Sequence, residues 1–317
     1  MKFNEKLGFK TAAGIRSSIE AIDYYPFHSH ETYIEFICVL CGAITIYDSA
    51  VKYHLKKDEI HIMNSTDPHK IVSDSNDSLL LIIHLDKSKY LEHHKNLQLG
   101  YFTAHSNDDK SILLPEIKLL RFLMAKVHTE YNKNEASAIE LDRLANQMID
   151  LLFEQFHDYA YVKLESGNYN IVRRKYDGRN ENEFYRVYRI ADYVELYFNN
   201  KLTLQDIAEE EFLSVPYLSK YIKNNIGITF SELVSIARCS EAERLLANTN
   251  KSVEQIASDT GFVNRAHLFR HFTRWFSQSP SEYRKKILGD LGDDVKIEYR
   301  KFNREEALDV LNTYMNS

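Results

Sequence analysis

Residues 202–223 read LTLQDIAEEEFLSVPYLSKYIK, and residues 252–276 read SVEQIASDTGFVNRAHLFRHFTRWF. The two stretches follow one plan. Thr203-x-x-Asp206 and Ser252-x-x-Gln255 are capping boxes, each opening a short helix: Thr203–Glu211 in the first stretch, Ser252–Thr260 in the second. A tight turn follows, with Gly261 suited to left-handed backbone in the second copy. Ser214 and Asn264 then cap a second helix in each, Val215–Asn224 and Arg265–Trp275. Ala208 and Ala257 are small enough to let the paired helices cross closely, the mechanical need of a helix-turn-helix.

Between the copies, Thr229-x-x-Glu232 starts a bridging helix that runs to Asn248. A rigid bridge of that kind would set two recognition helices about 34 Å apart, in successive major grooves. Outward from there, Ile190, Tyr193, Val194 and Tyr197 form an amphipathic stripe, and Ser279-Pro280 opens one more helix. The reading is an all-α domain of seven short helices over residues 184–288. That segment holds 14 basic and 12 acidic residues, against a net charge of −6 for the chain. Attraction to phosphate is local, so the acidity of the remainder does not oppose DNA binding.

The stretch from Leu202 to Lys285, ending FTRWFSQSPSEYRK, resembles the DNA-binding domain of the AraC family, and the match extends without gaps from about Arg186. IASDTGFVNRAHLFRHFTRWF with SPSEYR is its most diagnostic part. The resemblance implies base-facing roles for Pro216, Ser219 and Lys220 in the first recognition helix, and for Arg265, Ala266, His267 and Arg270 in the second. Chemistry supports the arginines, which can bridge guanine O6 and N7. Lys223, Thr273 and Arg274 are better placed for phosphate, while Leu218, Ile222, Leu268 and Phe272 read as core. Two positions depart from the family, which usually has glycine where this chain has Phe212 and Ser277. Phenylalanine is disfavoured at positive φ, so the first turn is expected to be distorted or to use another geometry.

Upstream, residues 24–85 are β-rich. Tyr33–Leu40, Ala43–Tyr47, Val51–Leu55, Ile60–Met63 and Ser78–Leu85 are short runs separated by turn residues, the pattern of a small barrel or double-sheet jelly roll. His28-x-His30-x4-Glu35-x6-Gly42 resembles the first motif of the cupin superfamily in spacing, and His69 falls where the second motif's histidine is expected. Such a set can hold a divalent transition metal. The second motif is degraded at Asn64 and Asp67, however, and the expectation is an organic effector with no metal and no cofactor. Tyr24, Tyr25, His28, His30, Tyr33, Glu35 and His69 are the candidate effector-binding residues: aromatic faces beside polar groups suit a sugar. Core packing is an equal account of several of the aromatics.

Ile112–Thr129 and Ala136–His157 have helical periodicity, as a dimerisation arm or as helices packed back on the barrel. The domain reading is therefore residues 1–110 cupin-like barrel, 111–165 helical arm, 166–183 linker with Gly167, Gly178 and a basic Arg173-Arg174-Lys175 cluster, 184–288 double helix-turn-helix, and 289–317 a strand–helix extension. In that extension Val295, Ile297 and Tyr299 alternate as in a strand. Ala307, Leu308, Leu311 and Tyr314 share a helix face, expected to dock on a neighbouring domain or a second subunit.

The fold class is α+β in two domains. Cys38, Cys41 and Cys239 are too few for a disulfide framework, and Cys38-x-x-Cys41 lies on a strand and its turn rather than at a helix start. Residues 1–10 have no apolar signal-peptide core, and no long apolar run spans a membrane, so a cytoplasmic location is expected. The function read from these residues is a sequence-specific DNA-binding transcription regulator, an activator rather than a repressor, responsive to a small molecule. Its expected partners are double-stranded DNA, a carbohydrate-like effector, RNA polymerase where it activates, and a second copy of itself as a homodimer. The alternative is a metal-dependent cupin enzyme with an appended helical domain. No nucleophile–base grouping, phosphate-cradling glycine loop or paired-carboxylate motif supports an enzyme.

Overall fold

The computed structural model describes residues 13–30, 32–48, 51–65, 67–94, 97, 102–104, 111–156, 160–163, 169–172, 181–289 and 297–316. They fall into two compact units. A β-rich unit takes the described residues up to 156 together with 297–316, and a helical unit takes 160–289.

The β-rich unit is built on two antiparallel sheets. One has the order β1 (Ile15–Glu20), β8 (Leu79–Asp86), β3 (Tyr33–Cys41), β6 (Ile60–Met63). The other runs β11 (Glu298–Tyr299), β2 (Ile22–His28), β7 (His69–Ser73), β4 (Ala43–Asp48), β5 (Val51–Lys56). Alternation along β3 and β8 explains the layers. Ile37, Val39, Leu80 and Ile82 face the second sheet, where they meet Ile22, Tyr25, Ile44, Ile46 and Ile71. Ile34, Phe36, Cys38, Leu40, Leu81, Ile83 and Leu85 face the other way, against helices. Both faces of these strands are buried, which is why they read as continuous apolar runs. The strands read from sequence are all present, and β1, β2 and β7 join them.

Helices α1 (Pro115–Tyr131) and α2 (Ala138–Leu151) cover that outer face. Ile117, Leu120, Met124, Leu141, Leu144, Met148 and Leu152 all belong to the shared core. These helices pack back on the barrel. After α2 the chain widens into a π-helical turn, Leu152–Phe156.

The extension beyond the helical unit returns to this same body. Strand β11 pairs with β2, and α10 (Arg304–Asn316) buries Ala307, Leu311 and Tyr314 in the core with α1 and β3. Leu308 lies off that face, 39% exposed. Ile297 packs against the inter-sheet core, Tyr299 is exposed, and Val295 lies outside the described residues.

Strand β9 (Ala160–Lys163), in the span read as helical arm, pairs with β10 (Tyr169–Val172) in the span read as linker, at whose end α3 (Glu181–Tyr197) begins. Gly167, Gly178 and Arg173-Arg174-Lys175 lie outside the described residues. Six more helices follow in the helical unit: α4 (Leu204–Glu210), α5 (Val215–Ile226), α6 (Phe230–Asn248), α7 (Val253–Asp259), α8 (Arg265–Phe276) and α9 (Pro280–Gly289). The capping boxes at Thr203, Thr229 and Ser252 are formed with both reciprocal bonds, and Ser279 with Glu282 adds another pair. Ser214 stands at the start of α5 without a side-chain capping bond, whereas Asn264 accepts from the His267 amide.

Candidate nucleic-acid interface and sensor site

The two turns of the helical unit close in the same way. The Leu213 amide donates to Ala208 O at 2.8 Å, and the Phe262 amide donates to Ala257 O at 2.8 Å. Both alanines are buried at the helix crossings. Gly261 has φ +76°, and a Cβ there would meet Asn199 O at 2.9 Å. Phe212 occupies the equivalent left-handed position at φ 54°, its side chain 94% exposed. The expected distortion of the first turn is therefore absent: solvent receives the ring, and the backbone accepts the strain. Ser277 likewise ends α8 at φ 58°.

Each recognition helix buries one face and exposes another. Leu218 and Ile222 on α5, and Leu268 and Phe272 on α8, are fully buried. Pro216, Ser219, Lys220 and Lys223 on α5 are exposed, as are Arg265, Ala266, Arg270 and Thr273 on α8; His267 is half-buried. Several of these groups have partners within the protein. Arg265 reaches Glu254 at 3.4 Å, and Lys223 Nζ donates to Gly227 O, closing the end of α5. Arg274, read as a phosphate contact, is committed to Glu232 at 2.6 Å and ties α8 to α6. Arg270 has no ion pair among the described residues. It lines a cleft of about 360 Å³ with Arg238, His267, His271, Ser231 and Ser235. Burial, then the positive charge of His267 and Arg270, pushes His271 down to about 4. No acidic side chain lines this cleft. Helix α3 is locked to the first unit by Arg186 and Arg189, which grip Glu211 at 3.1 and 2.7 Å.

In the β-rich unit, β2, β3 and β7 bring the predicted cluster together. Donor atoms of His28, His30, Glu35 and His69 lie within 4.8 Å of one another, and all four residues are buried. His30 Nε2 and His69 Nε2 sit 2.9 and 3.1 Å from Glu35 Oε2. Tyr25 lies 4.1 Å from the His28 ring and Tyr33 6.0 Å from that of His30, centroid to centroid. Tyr24 alternates to the opposite face of β2, level with Glu298. Sequence reasoning missed the neighbours. His84 Nε2 approaches Glu35 Oε1 at 3.7 Å, and His61 pairs with Asp48 at 3.2 Å under the Tyr53 ring. The available signal was a histidine inside an apolar run, as in IHIM and LLLIIHLD.

The electrostatics centre on Glu35. Burial alone would raise its pKa; the charge of His84 and hydrogen bonds from His30 and His69 outweigh this and hold it well below the usual range. Burial opposes charge on His69 as well, but bonding to Glu35 raises it. His28 is driven well down by burial and by the neighbouring imidazoles. Nδ1 of His28 donates to Pro26 O, and Nδ1 of His69 to Asp67 O, each at 2.9 Å. Those bonds commit Nδ1 as the donor, so Nε2 of His69 faces the carboxylate as a bare lone pair unless a proton or a metal ion lies there. Three imidazoles and a carboxylate, two of the rings oriented by backbone carbonyls, fit a divalent transition metal.

Residues 207–286 match the model of a helix-turn-helix domain family. An HTH-type transcriptional regulator of Staphylococcus aureus (strain MRSA252) is 25% identical over 279 residues, 87% of this chain. The chain spans about a third of that relative's length, 34%. The lactose operon transcription activator of Staphylococcus xylosus is 23% identical over 59% of this chain and 62% of its own. Among solved structures, ToxT from Vibrio cholerae O395 covers 87% of this chain and 99% of its own, with 16% identity and a TM-score of 0.44. The paired turns, the capped helices and the family match agree, and the chain carries over residues 207–286 an AraC-type helix-turn-helix domain.

Proposed function

We propose that this chain is a sequence-specific DNA-binding transcription regulator controlled by a small effector in its β-rich unit. The observation that carries this reading is the pair of matched turns. They present α5 and α8 with exposed Ser219, Lys220, Arg265 and Arg270 over fully buried Leu218 and Leu268. Arg270 is the leading candidate for guanine, with Pro216, Ala266 and His267 completing the readout faces and Lys223 and Thr273 at phosphate. Likeness to a lactose operon activator supports activation and a carbohydrate effector. The effector residues in this reading are Tyr25, His28, His30, Tyr33, Glu35 and His69.

Selection of bound duplexes from a random library, at stated salt, tests the reading. Enrichment of a site with two fixed patches about one helical turn apart is the expected result. No enrichment, with or without sugars, overturns it. A second reading of the β-rich unit follows from the donor convergence: His28, His30, Glu35 and His69 hold a divalent metal. Its measure is metal content after exposure to Zn²⁺ or Mn²⁺. About one ion per chain, lost in His69→Ala, supports it; none sinks it.

A further inference from the structure

Between α6 and α8 the helical unit gathers positive charge that it does not neutralise. Arg238 and Ser231 line the cleft from α6, His267, Arg270 and His271 from α8, and Phe262 gives it an apolar wall. The Arg238 guanidinium donates to Phe198 O at 2.7 Å and to Asn200 O at 3.1 Å, carbonyl oxygens that fix its direction and leave its charge unbalanced. Arg270 stands at the exposed edge, with no ion pair among the described residues. Glu232 on α6 is engaged by Arg274, and Glu254 on α7 by Arg265.

The histidines register that field. Burial comes first, then the charges of His267, Arg270, Arg274 and Arg238, and together they bring His271 from 6.5 down to about 4. Burial, with Arg270 and Arg238, lowers His267 as well. At pH 7 both rings are thus neutral, and the fixed charge of the cleft is that of its two guanidiniums. The rings are held in place. Nδ1 of His271 lies 2.6 Å from Ser235 Oγ, which accepts from Trp275 Nε1 at 3.2 Å, and the His267 ring meets that of His271 edge-on at 4.6 Å. Nδ1 of His267 is buried with no hydrogen-bond partner among the described residues.

Two guanidiniums in one small cleft repel one another, and an anion with charge to match both relieves that repulsion. A carboxylate, with a single charge, answers only one of them. Phosphate answers both, and its oxygens fit the guanidinium fork in bidentate fashion. A volume of about 360 Å³ is room enough for it. We propose that the α6–α8 cleft is a phosphate-binding site, with Arg238 and Arg270 as its cationic grip and His267 and His271 as further donors. The same chemistry comes from the DNA backbone and from small phosphorylated molecules. The site goes beyond the regulator reading and does not depend on it, because free phosphate is enough to test it.

The full chain, with carbon-13-labelled histidine rings, is titrated with inorganic phosphate at pH 7 while chloride holds the ionic strength constant. His267→Gln and His271→Gln identify the two ring signals by NMR. Both signals are expected to move along one saturable curve. Arg270→Ala, at an exposed position, raises the phosphate Kd by about fivefold or more, as for a lost charge-assisted hydrogen bond. Lys285→Ala, on α9, leaves it unchanged. Rings that do not respond overturn the site, as does a wild-type Kd in Arg270→Ala or an equal loss in Lys285→Ala. A random-sequence duplex then separates the two sources. If it displaces phosphate from the rings, the DNA backbone is the ligand; if phosphate stays in place with the duplex bound, the site serves a small phosphorylated molecule. A chain that holds phosphate in the cleft yet binds no duplex of any sequence keeps the site and overturns the regulator reading.

Discussion

Phe212 holds a backbone that most side chains avoid, and nothing in the fold reaches out to its ring. Left-handed φ costs an L-residue on the order of 1–2 kcal/mol, so Phe212→Gly is expected to stabilise the helical unit by about 1 kcal/mol, read as a higher urea midpoint. Gly261→Ala should do the reverse and more, because its Cβ would press on Asn199 O as well as strain the turn. A stabilised Gly261→Ala would show that the two turns are not equivalent. At the interface, Arg270→Ala is expected to weaken specific operator binding by roughly 10- to 100-fold, following the cost of about 1–3 kcal/mol for a lost bidentate base contact. An equal loss on all sequences would instead make Arg270 a phosphate contact. At this scale the sequence was partly legible. Leu218 and Phe272 declared themselves by spacing, and His28, His30 and Glu35 by their motif. His61, His84 and Asp48 did not, since which face of a strand holds a polar group depends on its partners across the barrel. The partner of Arg274 was not legible either: Glu232, 42 residues away, meets it through packing of α8 on α6.

The helices of the helical unit could be read because their starts are written locally: a Ser or Thr, then an acid or glutamine three residues on. Removing one such signal has a definite cost. Thr229→Ala at the head of α6 should destabilise the helical unit by about 1 kcal/mol, measured by thermal or urea unfolding. The strands β1 and β7 lacked any such mark. Their short mixed sequences, IRSSIE and HKIVS, become strands only because β8 and β4 lie alongside. Helices α1 and α2 cover the outward faces of β3 and β8, a need that their own periodicity does not reveal. Helix α10 completes that cover. Leu311→Ala is expected to cost the β-rich unit about 2–5 kcal/mol, the range for a deleted core leucine, while leaving the helical unit's melting unchanged.

Taken whole, the molecule has an acid-sensitive half. His128 on α1 is buried, and that burial together with the charge of Arg304 lowers its pKa from 6.5 to about 4. Its neutral form, bonded to Ser17 Oγ at 2.9 Å, is the one the fold accepts. The unfolded chain takes up a proton near pH 6.5 and the folded chain does not, so stability is full above 6.5 and falls as pH drops toward 4. Melting of the β-rich unit between pH 7 and 4.5 should show this decline, with His128→Gln flattening its share. A pH-independent melting temperature would refute the assignment.

The return of residues 297–316 to the β-rich unit also sets an order of events during synthesis. The ribosome makes the residues of β1 through α2, then the whole helical unit, and only afterwards Leu311 and Tyr314, which the first core requires. The helical unit is contiguous and can fold as it emerges. The β-rich unit, though begun first, stays open along β2 and α1 until the chain has passed residue 314, and is the later of the two to finish.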